Sequence, residues 1–122
     1  MNVLLDTSVW IKHFRASNLE VVRLLEQELV VSHQYVIAEL ACGSLKSRSE
    51  TISYLQDLIQ LQTLAISEVM AFIEARQLYS RGIGLVDAQL LAAVLISPNT
   101  LLWTHDTRLK EVATELNVCY SV

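Results

Sequence analysis

A chain of 122 residues with one proline and three glycines is long enough for a single domain, residues 1–122, with a real core, and too short for two. Hydrophobic residues make up 52%, yet the longest unbroken apolar run, Leu90 to Ile96, is far too short to cross a bilayer, so no membrane role is expected. A formal charge of −4 excludes a large nonspecific affinity for polyanions, because general nucleic-acid binders are usually basic.

The opening Met-Asn-Val-Leu-Leu-Asp has no basic region and no small-residue cleavage site, so no signal peptide is expected. Asn2–Leu5 is too uniformly apolar for a half-exposed strand and is predicted as a buried one. Thr7 to Arg15 follows as a helix with Val9, Trp10 and Phe14 on its apolar side. Asn18 caps a second helix in which Val21, Leu24 and Leu25 repeat at helical spacing. Leu29–Val31 is the second strand. Gln34 to Cys42 is helical and ends at Gly43, a favourable position for a helix stop. Ser49 to Gln62 is a longer helix with Ile52, Leu55, Leu58 and Ile59 on one stripe.

Thr63–Ile66 is expected as a third strand, and Ser67 as the cap of a helix reaching Tyr79 or Ser80. Gly82-Ile83-Gly84 then breaks the chain. Leu85 to Ile96 is apolar nearly all round, which predicts a central, buried helix. Pro98 and Asn99 turn into a strand at Leu101–Trp103. The last helix carries Leu109, Val112, Ala113 and Leu116, and a short strand near Val118–Tyr120 closes the order. Strands alternating with helices imply an α/β fold, a three-layer α/β/α sandwich around a central parallel sheet. Cys42 and Cys119 are too few for a disulfide framework or a zinc site, which fits a reduced cytoplasm.

Two of these strands run straight into an acid and a threonine: Val3-Leu4-Leu5-Asp6-Thr7, and Leu101-Leu102-Trp103-Thr104-His105-Asp106-Thr107. In open parallel sheets, ligands gather outside the carboxyl ends of the strands. Asp6 and Asp106, a hundred residues apart, can therefore meet at one edge, with Glu39 and Asp87 joining them from apolar helical sequence. Each has a plain alternative. Asp6 and Asp106 are favoured helix caps, a role compatible with metal binding because one oxygen can cap while the other coordinates. Asp87 suits the first turn of its helix through the dipole, but a buried Asp needs a partner or a cation. Glu39 is a strong helix former, and its ordinary place is a solvated face; yet every other residue from Tyr35 to Cys42 is apolar, so little water-facing side is expected there.

Four carboxylates without matching cations call for a divalent ion. Mg²⁺ and Mn²⁺ take hard oxygen ligands from a few carboxylates, waters and substrate phosphate, and such ions polarise a phosphoryl oxygen and activate water. With four acids set aside for this purpose, the 13 Asp+Glu balance the 9 Lys+Arg, so an RNA substrate is not excluded. Thr7, Ser8 and Thr104 offer hydroxyls that orient an acid or complete a turn. His13, His33 and His105 share no ligand spacing. Lys46, Arg48, Arg81 and Arg108 lie just beyond the acidic segments in sequence and are candidates for a phosphate-backbone path or for plain surface charge.

This ordered set resembles the PIN-domain ribonucleases, and within them the VapC-type toxins of toxin–antitoxin pairs. The residues that carry the resemblance are Leu5-Asp6-Thr7-Ser8-Val9-Trp10-Ile11, Glu39-Leu40 with Gly43, Asp87-Ala88-Gln89-Leu90-Leu91-Ala92-Ala93, and Thr104-His105-Asp106. It covers essentially the whole chain. The resemblance implies that Asp6, Glu39, Asp87 and Asp106 form an acidic quartet for Mg²⁺ or Mn²⁺, with Thr104 and Thr7 or Ser8 in support. It also implies endonucleolytic cleavage of RNA, a homodimer, and neutralisation by a cognate antitoxin whose peptide covers the groove. Where the family commonly has a further acid and an aromatic after the last aspartate, Thr107-Arg108-Leu109 stand here, so no fifth acidic ligand is expected.

Two rivals differ in class. A phosphoacceptor receiver domain needs neighbouring early acids and a lysine at the last strand's exit, and neither is present. A catalytically inactive PIN-like module used for protein binding would keep the fold without the chemistry.

Overall fold

The computed structural model describes residues 1–122. Four strands, β1 (Asn2–Leu5), β2 (Val30–Ser32), β3 (Ile59–Gln60) and β4 (Thr100–Trp103), form one parallel sheet in the order β3-β2-β1-β4. Seven helices cover it: α1 (Thr7–Arg15), α2 (Leu19–Glu26), α3 (Gln34–Ala41), α4 (Arg48–Asp57), α5 (Ile66–Ala75), α6 (Leu85–Ile96) and α7 (Thr107–Glu115). The arrangement is the three-layer α/β/α sandwich expected.

β1 is the centre of the sheet because its side chains are apolar on both faces: Val3, Leu4 and Leu5 are wholly buried. It pairs Val3 with Val30 on one side, and Leu4 and Leu5 with Leu102 and Trp103 on the other. Chain order runs outward from β1 through β2 to β3, while β4 returns to the opposite side. That reversal opens a crevice beyond the carboxyl ends of β1 and β4. Asp6 is the first residue past β1, and Thr104 the first past β4.

α6 is buried continuously from Ala88 to Val94, as its all-round apolar sequence predicts. Burying side chains such as Leu90 and Leu91 contributes about 1.5–3 kcal/mol each. α6 also carries Asp87, so the site is attached to one of the most constrained elements.

The middle of the chain departs from expectation. Ser49–Gln62 is not one helix, and Thr63–Ile66 is not a strand. α4 stops at Asp57, and Leu58 turns extended at φ −68° and ψ 158°. The Gln60 side-chain amide donates to the carbonyls of Leu55 and Leu58, both at 2.9 Å, and so satisfies the helix end that a glycine would ordinarily finish. The third strand is thus the two residues Ile59–Gln60, pairing Val31 with Ile59. Leu64 is held instead by buried Gln89, which accepts the Leu64 N–H at 2.8 Å and donates to its carbonyl at 3.1 Å.

α5 begins at Ile66, a residue ahead of the expected cap at Ser67, with the Glu68 carboxylate accepting the Ala65 N–H at 3.0 Å. It also ends at Ala75, short of Tyr79. Val118–Tyr120 supplies a single bridge, Leu102 to Cys119, in place of a strand. Phe14 lies 41% exposed on α1, where an inward position was expected, and stacks at 5.6 Å on buried Trp10.

Candidate active site

Asp6 caps α1: its Oδ1 accepts the Val9 N–H at 3.1 Å and the Ser8 hydroxyl at 2.5 Å. Its other oxygen accepts the Thr104 hydroxyl, from the exit of β4. The Thr104 oxygen in turn accepts the Asp106 N–H at 3.0 Å. One buried hydroxyl therefore joins two acids that lie a hundred residues apart in the chain. The Ser8 oxygen adds a second tie by accepting the His105 N–H at 3.0 Å.

Asp106 caps α7, accepting the N–H groups of Arg108 and Leu109 at 2.9 and 3.0 Å through Oδ1, while Oδ2 makes no hydrogen bond. Glu39 projects from α3 and accepts the Thr7 hydroxyl at 2.6 Å, which ties α3 to the first turn of α1. Ala38, Glu39 and Cys42 are exposed, so α3 does have the water-facing side that its apolar sequence argued against. Asp87 reaches back from the first turn of α6 to accept the Gly84 N–H at 2.9 Å.

The electrostatics bind these acids together. Burial pushes the Asp6 carboxyl above its ordinary range, and the Ser8 and Thr104 hydroxyls pull it part of the way back. Asp87 is also raised, first by burial and then by the charges of Asp106, Asp6 and Glu39, against the Gly84 N–H; no cation figures among these influences. All four acids therefore share one field, at the strand exits where parallel sheets place ligands.

As the side chains stand, no group of three His, Cys, Asp or Glu is close enough to hold an ion. Mg²⁺ is commonly held by only one or two carboxylates plus waters and substrate phosphate, so a closed cage is not required. The donor set is oxygen only, and Asp106 keeps one oxygen free. In chemistry the residues fit a hard divalent cation.

Of the basic candidates, Arg48 donates to the carbonyls of Ala41 and Gly43 and closes the end of α3. Arg81 pairs with Glu115 at 2.7 Å. Lys46 lines a groove of about 830 Å³ that runs along α1 and α3 past Ile11, Phe14, Arg15 and Glu39. Arg108 makes no side-chain hydrogen bond or ion pair, and its side chain lies over Gly82.

Sequence reasoning weighed His33 only as a metal ligand and missed its place in the core. It is fully buried at the exit of β2 and caps α3, its Nδ1 accepting the Tyr35 N–H at 3.0 Å. Its Nε2 has no partner, and Ser32 Oγ beside it is likewise unpaired. Burial holds the imidazole below its ordinary range; the Gln62 backbone acts weakly in the opposite sense without completing a hydrogen bond to Nε2. Its position between a strand and a helix marked it as a cap, but histidine is not among the usual capping residues.

Acids facing one another across the β1–β4 switch point of a short parallel sheet are the arrangement of a PIN-type fold. The PIN domain family matches residues 3–115. Two curated relatives, each named Ribonuclease VapC32, come from the CDC 1551 / Oshkosh and H37Rv strains of Mycobacterium tuberculosis. Each is 41% identical over 116 residues, 95% of this chain and 94% of the relative. The solved structure titled Crystal Structure of PAE2754 from Pyrobaculum aerophilum matches with a TM-score of 0.59 at 18% identity, covering 96% of both chains. The chain belongs to the PIN-domain family, in its VapC-type branch.

Proposed function

We propose that this protein is a Mg²⁺- or Mn²⁺-dependent endoribonuclease, the toxin of a type II toxin–antitoxin pair, built as one nuclease domain over residues 1–122 and working in the cytoplasm as a homodimer. The observation that carries the proposal is the buried Thr104 hydroxyl, which donates to Asp6 and accepts the Asp106 N–H at the strand exits, beside an Asp87 raised first by burial and then by the charges of Asp106, Asp6 and Glu39. The 41% identity to a ribonuclease across nearly the whole chain supports the same activity.

Asp6, Glu39, Asp87 and Asp106 would hold the ion, which when bound polarises a phosphoryl oxygen and activates water for attack on phosphorus. The Thr104 hydroxyl orients Asp6 and fixes Asp106 through its backbone. Thr7 orients Glu39, and Ser8 holds Asp6 and the His105 backbone together. These hydroxyls are all engaged in positioning, so none is needed as a nucleophile. The groove beside Glu39, with exposed Ile11 and Phe14 flanked by Arg15 and Lys46, suits an antitoxin peptide whose apolar side chains and acidic groups would cover the site.

The test uses the full chain, freed of antitoxin, on fluorescent RNA with Mg²⁺, Mn²⁺ or chelator. Asp6→Asn and Asp87→Asn should each reduce cleavage to background with unchanged circular dichroism, and chelation should do the same to the parent. Variants that cut as fast as the parent, with contaminating nuclease excluded, would overturn the proposal in favour of an inactive binding module. Sedimentation should give a dimer, and a monomer at micromolar concentration would refute that part.

A further inference from the structure

Arg108 is the one cation near the acids whose placement the proposed chemistry leaves unexplained. It stands in the first turn of α7, two residues past Asp106, and its own N–H is bonded to the Asp106 carboxylate at 2.9 Å. Its side chain runs across to the loop that introduces α6. A Cβ built on Gly82 would lie 2.5 Å from Arg108 Cδ, 2.7 Å from one terminal nitrogen and 3.0 Å from Nε, distances at which something must move. Gly82 also holds φ at +80°, a conformation that disfavours any side chain. The backbone conformation therefore calls for glycine here, and the mobile end of the arginine occupies the space that the missing side chain leaves.

Two residues on, the Gly84 N–H binds the Asp87 carboxylate. Arg108 thus bridges the two segments that carry Asp87 and Asp106. A guanidinium two residues past one acid, and lying over the loop that leads to another, would ordinarily pair with one of them. It does not: it donates to no group, and no cation offsets the acids acting on Asp87. Its neighbour Arg81 takes the opposite course, pairing with Glu115 at 2.7 Å and approaching Glu111 at 4.0 Å. One arginine is neutralised locally, while the next lies exposed with its guanidinium end over Gly82 and its charge uncommitted.

We propose that Arg108 holds an RNA phosphate flanking the scissile bond, and that Gly82 makes the room for its side chain. A planar guanidinium presents parallel donors that match two phosphate oxygens. At the rim of an acidic site the charge has a further use, since it draws the polyanion toward carboxylates that would otherwise repel it. Arg108 is in this account a positioning residue, and the account rests on the RNA-cleaving role proposed above.

The experiment measures binding of a twelve-nucleotide single-stranded RNA by fluorescence anisotropy, using the full chain carrying Asp87→Asn in Mg²⁺ so that the probe survives. Adding Arg108→Gln should weaken binding about tenfold and make the slope of log K against log salt shallower by about 0.7, the loss of one phosphate contact on a single strand. Arg108→Lys should keep the slope while recovering only part of the affinity. Arg81→Gln should leave slope and affinity unchanged, although it removes an arginine next to the same loop. In the cleavage-competent chain, Arg108→Gln should raise KM with little change in kcat.

A purely structural role would lower the melting temperature and leave the salt slope alone; a slope for Arg108→Gln equal to the parent's overturns the inference. If the parent cuts RNA and Arg108→Gln matches it in both KM and slope, the inference falls while the nuclease proposal stands. If the parent neither cuts nor binds RNA, both fall.

Discussion

Replacing Thr104 by valine tests whether the hydroxyl that joins Asp6 to Asp106 matters to the chemistry or only to the fold. Valine keeps the shape and removes two hydrogen bonds at once, one donated to Asp6 and one accepted from the Asp106 N–H. Thr104 is 4% exposed, so no water takes over either role at full strength. A hydrogen bond to a charged group is worth about 1.5–3 kcal/mol, which is roughly a tenfold to hundredfold change in an equilibrium constant.

Asp6 is already raised by burial, and Thr104 is one of the groups lowering it, so its loss raises the carboxyl further. The ionised form that binds a cation then becomes scarcer. The Mg²⁺ or Mn²⁺ concentration for half-maximal RNA cleavage should rise, approaching that factor on the acid side of the carboxyl's titration and shrinking as pH rises. The acid limb of the pH–rate profile should move to higher pH. Orphaning the Asp106 N–H destabilises the fold by about 2 kcal/mol. For 122 residues at about 2.1 cal/mol/K each, that lowers the melting temperature by about 8 °C. Thr104→Ser should restore most of the metal response. If Thr104→Val melts lower but keeps the parent's metal midpoint and acid limb, the hydroxyl is structural only and the reasoning fails.

Two further outcomes follow from titration. Asp87 has a folded pKa above its unfolded value, so in its ionised form it weakens the metal-free protein at neutral pH. Metal-free Asp87→Asn should therefore melt higher than the parent at pH 7, with the gap closing as pH falls toward 4; a constant gap would show that burial of the ionised carboxylate among like charges is not its cause. His33 is shifted the other way, its folded pKa depressed. Its contribution is present above the unfolded value near 6.5 and lost as pH falls below it. Denaturant midpoints should therefore drop between pH 6.5 and 5 in the parent and less so in His33→Asn, which retains a capping acceptor; equal drops would clear His33 of responsibility.

The parts of the molecule that sequence made legible are those where one strong local signal had no competitor. β1 and β4 are apolar runs ending in an acid, and α6 is apolar on every side, so burial was dictated before any partner was known. The acids were legible for the same reason, each standing at a strand exit or as an anomaly in apolar sequence. The stretch from Ser49 to Ile66 was not. There Leu58 and Ile59 continue the helical stripe of Ile52 and Leu55, while the actual stop comes from the Gln60 amide on the carbonyls of Leu55 and Leu58. The next segment is held by Gln89, a residue 29 positions further along in sequence than Gln60 and buried inside α6. No pattern within the segment itself encodes either contact. Phe14 was misplaced because Trp10, one turn earlier, already fills the inward position.

The edges of the sheet restrict how any other chain can attach. β3 offers only Ile59 and Gln60, and beyond β4 the backbone of Leu102 is already engaged by Val118 and Tyr120. Neither margin presents a run of free amides and carbonyls long enough to template an incoming strand. Recruitment by sheet extension is thereby closed off, as is the runaway pairing that leads to fibres. A protein that captures this one must recognise it through side chains seated in hollows, and its selectivity will be written in shape and charge instead of in backbone register.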